Sequence, residues 1–126
     1  DIYLGFANIN QLCNEITSKL EDIPVQLQNN QDNIANKTIT DFTYLFDSFC
    51  RITTLATIFP DLFEKLKIND KSLHIFLQED FSPILADFEQ AIKSKDTILI
   101  GDLAEYEILP KVELIKEFTK QFCETN

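Results

Sequence analysis

The fold is decided by residues 2–27, which read IYLGFANINQLCNEITSKLEDIPVQL. Apolar side chains recur there at alternating steps of four and three residues, and this spacing keeps side chains on one stripe of a helix. The members of the stripe are Ile2, Phe6, Ile9, Cys13, Ile16, Leu20, Ile23 and Leu27. Pro24 interrupts the backbone but not the stripe, so we expect one helix with a kink at the proline. Such a stripe predicts the seam of an antiparallel helical bundle.

Three further helices are predicted from the same spacing. Residues 33–58 carry a wide stripe rich in phenylalanine, and Pro60 ends this helix and opens a short one through residue 66. A third helix is expected to begin after Asp70 as its cap and to kink at Pro83. The fourth is expected to begin after Asp96 and to end near residue 122. Its predicted seam consists of Ile98, Gly101, Glu105, Ile108, Val112, Ile115, Thr119 and Phe122.

The predicted fold is all-α. Short connections make sequential amphipathic helices antiparallel, so we expect an up-down four-helix bundle with proline kinks and a short extra helix between helices 2 and 3. The composition agrees, because two glycines and four prolines among 126 residues are too few for the turns of a β-sandwich. No linker or repeat divides the chain, so residues 1–126 are predicted to form one domain.

Charge and cysteine content restrict the partners and the compartment. A formal net charge of −10 repels phosphate backbones, so we expect no nucleic acid and no anionic membrane surface as a partner, and a basic protein is favoured. No apolar run is long enough to span a bilayer. Three dispersed cysteines are typical of a reducing cytoplasm. The chain starts at Asp1 rather than at methionine, which is compatible with the removal of a leader peptide.

An acidic string interrupts the fourth helix, where residues 95–110 read KDTILIGDLAEYEILP. Together with a long heptad helix and a phenylalanine-rich second helix, this string resembles an uncharacterised family of small acidic helical-bundle proteins from low-GC Gram-positive bacteria. The specific part of the resemblance is the stretch from Asp102 to Pro110, and the resemblance implies no activity. The candidate binding residues in this string are Asp102, Glu105, Tyr106 and Glu107.

Two interpretations of the acidic pair remain open. Asp102 and Glu105 lie three residues apart and therefore share a helical face, while Gly101 allows a neighbouring helix to approach closely. The pair could bind a cation or accept hydrogen bonds from a partner, or it could lie at the bundle edge against a lysine or water. Glu105 is expected to be partly shielded because it shares its stripe with apolar residues. Pro110 should free the carbonyl of Tyr106 beside the pair.

Motifs for catalysis or metal binding are missing from the sequence. The single histidine, His74, has no Glu-x-x-His partner set of the di-iron type, and no phosphate loop, serine elbow or zinc spacing occurs. Cys13 and Cys50 lie at positions typical of core packing rather than of a reactive thiolate. Arg51 is expected to pair with Asp47 on the surface. We therefore predict no enzyme, no catalytic residue, no metal and no cofactor.

Surplus phenylalanines suggest a partner-binding surface. Phe59, Phe63, Phe76 and Phe81 do not all fit one seam, so they could line an apolar groove, or the short helix after Pro60 could cover them. The favoured function is a non-enzymatic, chaperone- or adaptor-like bundle that binds a basic or helical protein. One alternative is a small-molecule or cation-binding domain, or an enzyme, that uses Asp102 and Glu105. Another alternative is a structural homodimer.

Overall fold

The computed structural model describes residues 1–125, which form helices, one small hairpin and short connecting turns. The α-helices are α1 (Ile2–Gln28), α2 (Asp32–Ala56), α3 (Pro60–Phe63), α4 (Leu73–Ile75), α5 (Ser82–Lys93), α6 (Thr97–Leu103) and α7 (Leu109–Thr125). The strands are β1 (Lys67–Ile68) and β2 (Lys71–Ser72). Two π-helical turns, π1 (Phe76–Phe81) and π2 (Ala104–Ile108), join α4 to α5 and α6 to α7 without a break. The all-α prediction is confirmed.

Helix α1 has the apolar stripe that the sequence predicts. The carboxylate of Asp1 caps it by accepting hydrogen bonds from the amides of Tyr3 and Leu4, which have no partner within the helix. The six inner members of the stripe are buried, and the helix continues through Pro24 to Gln28. The turn into α2 uses Asn30 at a φ of 58°, a left-handed conformation that asparagine tolerates better than most residues.

A hairpin of two two-residue strands precedes α4, and the spacing of apolar residues did not predict it. Ile68 pairs with Lys71, and the two turn residues Asn69 and Asp70 have φ values of 54° and 62°. Positive φ at both central residues is the geometry of a type I′ turn, which matches the twist of paired strands. Asp70 therefore lies in the turn and is not the cap of the next helix. The hydroxyl of Ser72 caps α4 instead, by accepting from the amide of Ile75.

Ion pairs of one lysine link the hairpin to π1. The ammonium group of Lys71 lies 2.7 Å from a carboxylate oxygen of Asp80 and 3.3 Å from one of Glu79. These contacts hold β2 against the turn that carries the buried rings of Phe76 and Phe81.

Each π-helical turn ends two residues before a proline. Pro83 follows π1 and Pro110 follows π2, and in each turn an amide bonds to the carbonyl five residues earlier: Ser82 to Leu77, and Leu109 to Ala104. Because proline lacks an amide proton and its ring crowds the carbonyl four residues back, a wider preceding turn accommodates it. The helices predicted to kink at these prolines contain π turns there.

The π2 turn also explains an error in the predicted seam of the last helix. Ile98 is 76% exposed, whereas Ile100 and Ala104 are buried. A π turn contains one residue more than an α turn, so it rotates the preceding segment relative to α7. The predicted seam is buried from Ile108 to Phe122, whereas the buried residues before it are Ile100, Gly101 and Ala104, of which the predicted seam contained Gly101 alone.

The core forms around α1. This helix packs along α2 and, on another side, along α6, π2 and α7, while α5 packs against α6. The backbones of α2 and α5 stay farther apart than these packed pairs. Among residues 1–125, no helix combines the length and the hydropathy that crossing a membrane requires.

Candidate binding surfaces

The acidic string lies at the surface on and beside π2. Asp102, Tyr106 and Glu107 are exposed, and Glu105 is half-buried, as its predicted partial shielding requires. A hydrogen bond from the Tyr106 hydroxyl to Glu105 raises the pKa of that tyrosine, and the negative charges of Glu105 and Asp102 act in the same direction. Within residues 1–125, no group of acidic, cysteine or histidine side chains has the arrangement of a metal site.

The four phenylalanines that the sequence suggested for one groove differ in how much of each side chain is exposed to solvent. Phe76 and Phe81 are 0% and 1% exposed, so they belong to the core and cannot contact a partner. The reason is that the π1 turn directs both rings inward, where they pack edge to face with centroids 6.1 Å apart. Phe63 is half-buried against the ring of His74, and Phe59 is exposed. The predicted four-ring groove is therefore wrong.

An apolar groove occurs elsewhere, between α2 and α5. It has a volume of about 290 Å³. Its walls are formed by Ile39, Phe42, Thr43 and Phe46 from α2 and by Leu85, Phe88, Glu89 and Ile92 from α5. We call this surface the α2–α5 groove. Seven of these eight side chains carry no charge, and Phe46, Leu85 and Ile92 retain solvent exposure.

Aromatic rings fill the space beneath the α2–α5 groove. Phe81 stacks on Phe46 at a centroid distance of 5.1 Å and on Phe42 at 6.0 Å. Phe42 also meets Phe88 edge to face at 6.4 Å. These rings connect two helices whose backbones do not pack closely. The groove therefore has an aromatic floor, and Phe46, Leu85 and Ile92 at its edges remain accessible to solvent.

The sequence contained a signal for this groove that spacing alone did not resolve. The stripe of α2 is wider than that of α1, because Leu45 and Ile52 extend it on one side and Ile39 and Phe46 on the other. A helix with so broad an apolar arc needs neighbours on two sides. Helix α1 covers one side of α2, and α5 covers the other only in part.

The sequence analysis also considered Cys13, Arg51 and His74, and the structure shows the burial and the contacts of each. Burial raises the pKa of the Cys13 thiol to about 12, which keeps it protonated and unreactive at neutral pH. Arg51 donates a hydrogen bond to the hydroxyl of Ser48 at 3.3 Å and does not form the predicted ion pair with Asp47. His74 is exposed, and its ring centroid lies 5.2 Å from that of Phe63.

Comparison with known proteins identifies a family. Residues 6–118 match the model of a domain of unknown function, DUF8042. An uncharacterised protein of Treponema pallidum (strain Nichols) is 33% identical over 96 residues, which are 76% of this chain and 47% of that protein. The chain thus spans about half the length of this relative. No solved structure matches. The chain belongs to the DUF8042 family, whose function is unknown.

Proposed function

We propose that this member of the DUF8042 family is a non-enzymatic, adaptor- or chaperone-like protein that binds a basic amphipathic helix of a partner in the α2–α5 groove. The observation that carries the proposal is an apolar groove with an aromatic floor between two helices that do not pack closely. An amphipathic helix buries its apolar face in a groove of this kind.

The helix arrangement supports this interpretation. We infer that α1, α2, the run from α4 to α5 and the run from α6 to α7 form an antiparallel up-down bundle. In such a bundle each helix packs beside two others. Three of the four expected contacts are close, and the one between α2 and α5 is open. A partner helix laid there would supply the missing apolar contacts.

Charge supports a basic partner. Glu89 is the charged side chain in the lining of the groove, and Asp47 is exposed one turn beyond Thr43 on α2. The whole chain carries a net charge of −10, which attracts a cationic helix and speeds its encounter. The three free cysteines are typical of a reducing compartment, and this supports our proposal of a cytoplasmic location.

The test uses a synthetic helical peptide of about 14 residues with leucines on one face and lysines on the other. Its binding to the protein is measured by fluorescence anisotropy, beside a scrambled peptide of the same composition. We expect Ile92→Asp and Phe46→Asp to weaken binding about tenfold or more. Ile92 is 39% exposed, so its substitution should leave the fold intact. Tyr44→Asp, on another face of α2, is the matched control and should bind as the wild type does.

Three outcomes would overturn the proposal. The scrambled peptide could bind equally well, or both groove variants could bind like the wild type. Alternatively, sedimentation of the protein alone could show a dimer that Ile92→Asp converts to a monomer, which would assign the groove to a second copy of this chain. Added salt should weaken binding of the lysine-faced peptide, because the rim charges are exposed.

A further inference from the structure

A second cleft lies between the connector after α3 and the last turns of α7. It has a volume of about 360 Å³, within the range of small-molecule sites. Its lining residues are Leu62, Lys65, Leu66, Lys67, Phe118, Gln121, Phe122 and Thr125. The apolar members are partly or fully buried, and Phe118 is held by an edge-to-face contact with Phe6 at 5.4 Å.

The charge of this cleft is opposite to that of the chain. Both charged side chains in its lining are lysines, although the chain carries a net charge of −10. Lys65 and Lys67 are exposed while Leu66 between them is buried, so both lysines line the cleft beside an apolar residue of its floor. Neither lysine belongs to an ion pair among residues 1–125, whereas Lys71 on the adjacent strand is neutralised by Glu79 and Asp80.

We propose that this cleft binds an amphiphile with a single apolar stem that ends in a carboxylate. The stem would lie against Leu62, Leu66 and Phe118, where its burial removes apolar surface from water. The carboxylate would lie between Lys65 and Lys67 and accept charge-assisted hydrogen bonds from them. This site is separate from the α2–α5 groove and does not depend on the function proposed for that groove.

The test is a titration of the protein with sodium decanoate below its micellar concentration, followed by amide chemical shifts in NMR. We expect decanoate to shift the amides of residues 62–67 and 118–125. Acetate, which has no stem, and decyltrimethylammonium, which has the opposite charge, should cause no saturable shift there. Lys65→Gln combined with Lys67→Gln should weaken decanoate about tenfold, since each exposed charge pair contributes roughly threefold to fivefold.

The matched control is Lys93→Gln combined with Lys95→Gln, which changes two exposed lysines at the same spacing on another surface. This variant should bind decanoate like the wild type. The proposal is overturned if both double variants behave alike, if decyltrimethylammonium binds the same amides as tightly, or if the shifted amides lie along the α2–α5 groove. Each of the four substituted lysines is exposed, and each is replaced by another polar residue. Loss of folding would therefore not explain a loss of binding.

Discussion

Gly101 of α6 lies directly against Pro24 of α1. A Cβ atom at Gly101 would lie 3.1 Å from the Cα of Pro24 and 3.2 Å from its Cβ. Two features that each weaken a helix, an internal proline and an internal glycine, therefore meet at one crossing. The absence of a side chain at Gly101 allows α6 to pack on the part of α1 where the proline ring protrudes.

Enlarging Gly101 should destabilise the protein. Gly101→Val adds atoms against the backbone of Pro24, and overpacking of this kind costs about 1–3 kcal/mol in the free energy of unfolding. Gly101→Ala should cost less, because the gain of about 1 kcal/mol in helix propensity offsets part of the crowding. Urea unfolding followed by circular dichroism measures both effects. Ala86→Val, at an exposed helical position, is the control and should change stability by only about 0.5 kcal/mol. A Gly101→Val protein as stable as the wild type would show that the crossing is loose.

The π2 turn should behave as a one-residue insertion. Deleting the exposed residue Tyr106 in a Pro110→Ala background should convert Ala104–Ile108 into an α turn and keep α6 and α7 in register. The Pro110→Ala change is needed because a proline inside a regular helix costs about 3 kcal/mol. We expect this deletion variant to fold, with a cooperative thermal transition by circular dichroism.

The control for this deletion removes the exposed residue Glu113 of α7 in the same Pro110→Ala background. Glu113 lies in a regular α-helical stretch that contains no extra residue. Its deletion therefore rotates the seam residues that follow by about 100° relative to those before it. It should therefore abolish the cooperative transition. Equal stability of the two deletion variants would contradict the interpretation of π2 as an insertion.

The spacing of apolar residues predicted where the helices lie along the chain better than it predicted which face of each helix is buried. The steps of four and three residues located α1, α2 and α7, because burial of a continuous stripe requires that spacing. The exposed Ile98 and the buried Phe76 were misassigned because π turns change the helical period near Pro83 and Pro110. The α2–α5 groove depends on how far apart two helices lie in space. Local spacing carries no direct information about that distance.

Replacing Phe76 should lower the stability of the protein far more than replacing Phe59. Phe76 is fully buried, so Phe76→Ala should lower the free energy of unfolding by about 3–5 kcal/mol through lost burial and the cavity it leaves. Phe59 is 51% exposed, and Phe59→Ala should cost less than about 1 kcal/mol. Urea unfolding of the two variants measures the difference. Similar costs for the two substitutions would contradict the assignment of Phe76 to the core and of Phe59 to the surface.

The buried thiol of Cys13 should make the protein sensitive to alkali. Its pKa is raised from 9.0 to about 12 in the folded state, with burial as the main cause and the charge of Lys116 as a smaller opposing effect. Below pH 9 the thiol is protonated in both the folded and the unfolded chain, so its contribution to stability is fully present. Between about pH 9 and pH 12 only the unfolded chain releases the proton, so the free energy of unfolding falls by about 1.4 kcal/mol per pH unit. Cys13→Ala should remove this part of the slope, whatever its effect on stability at pH 7, whereas Cys123→Ala at the half-buried end of α7 should leave most of it. Urea unfolding at pH 8, 9 and 10 measures the slopes, and identical slopes for Cys13→Ala and the wild type would show that another group causes the alkaline loss.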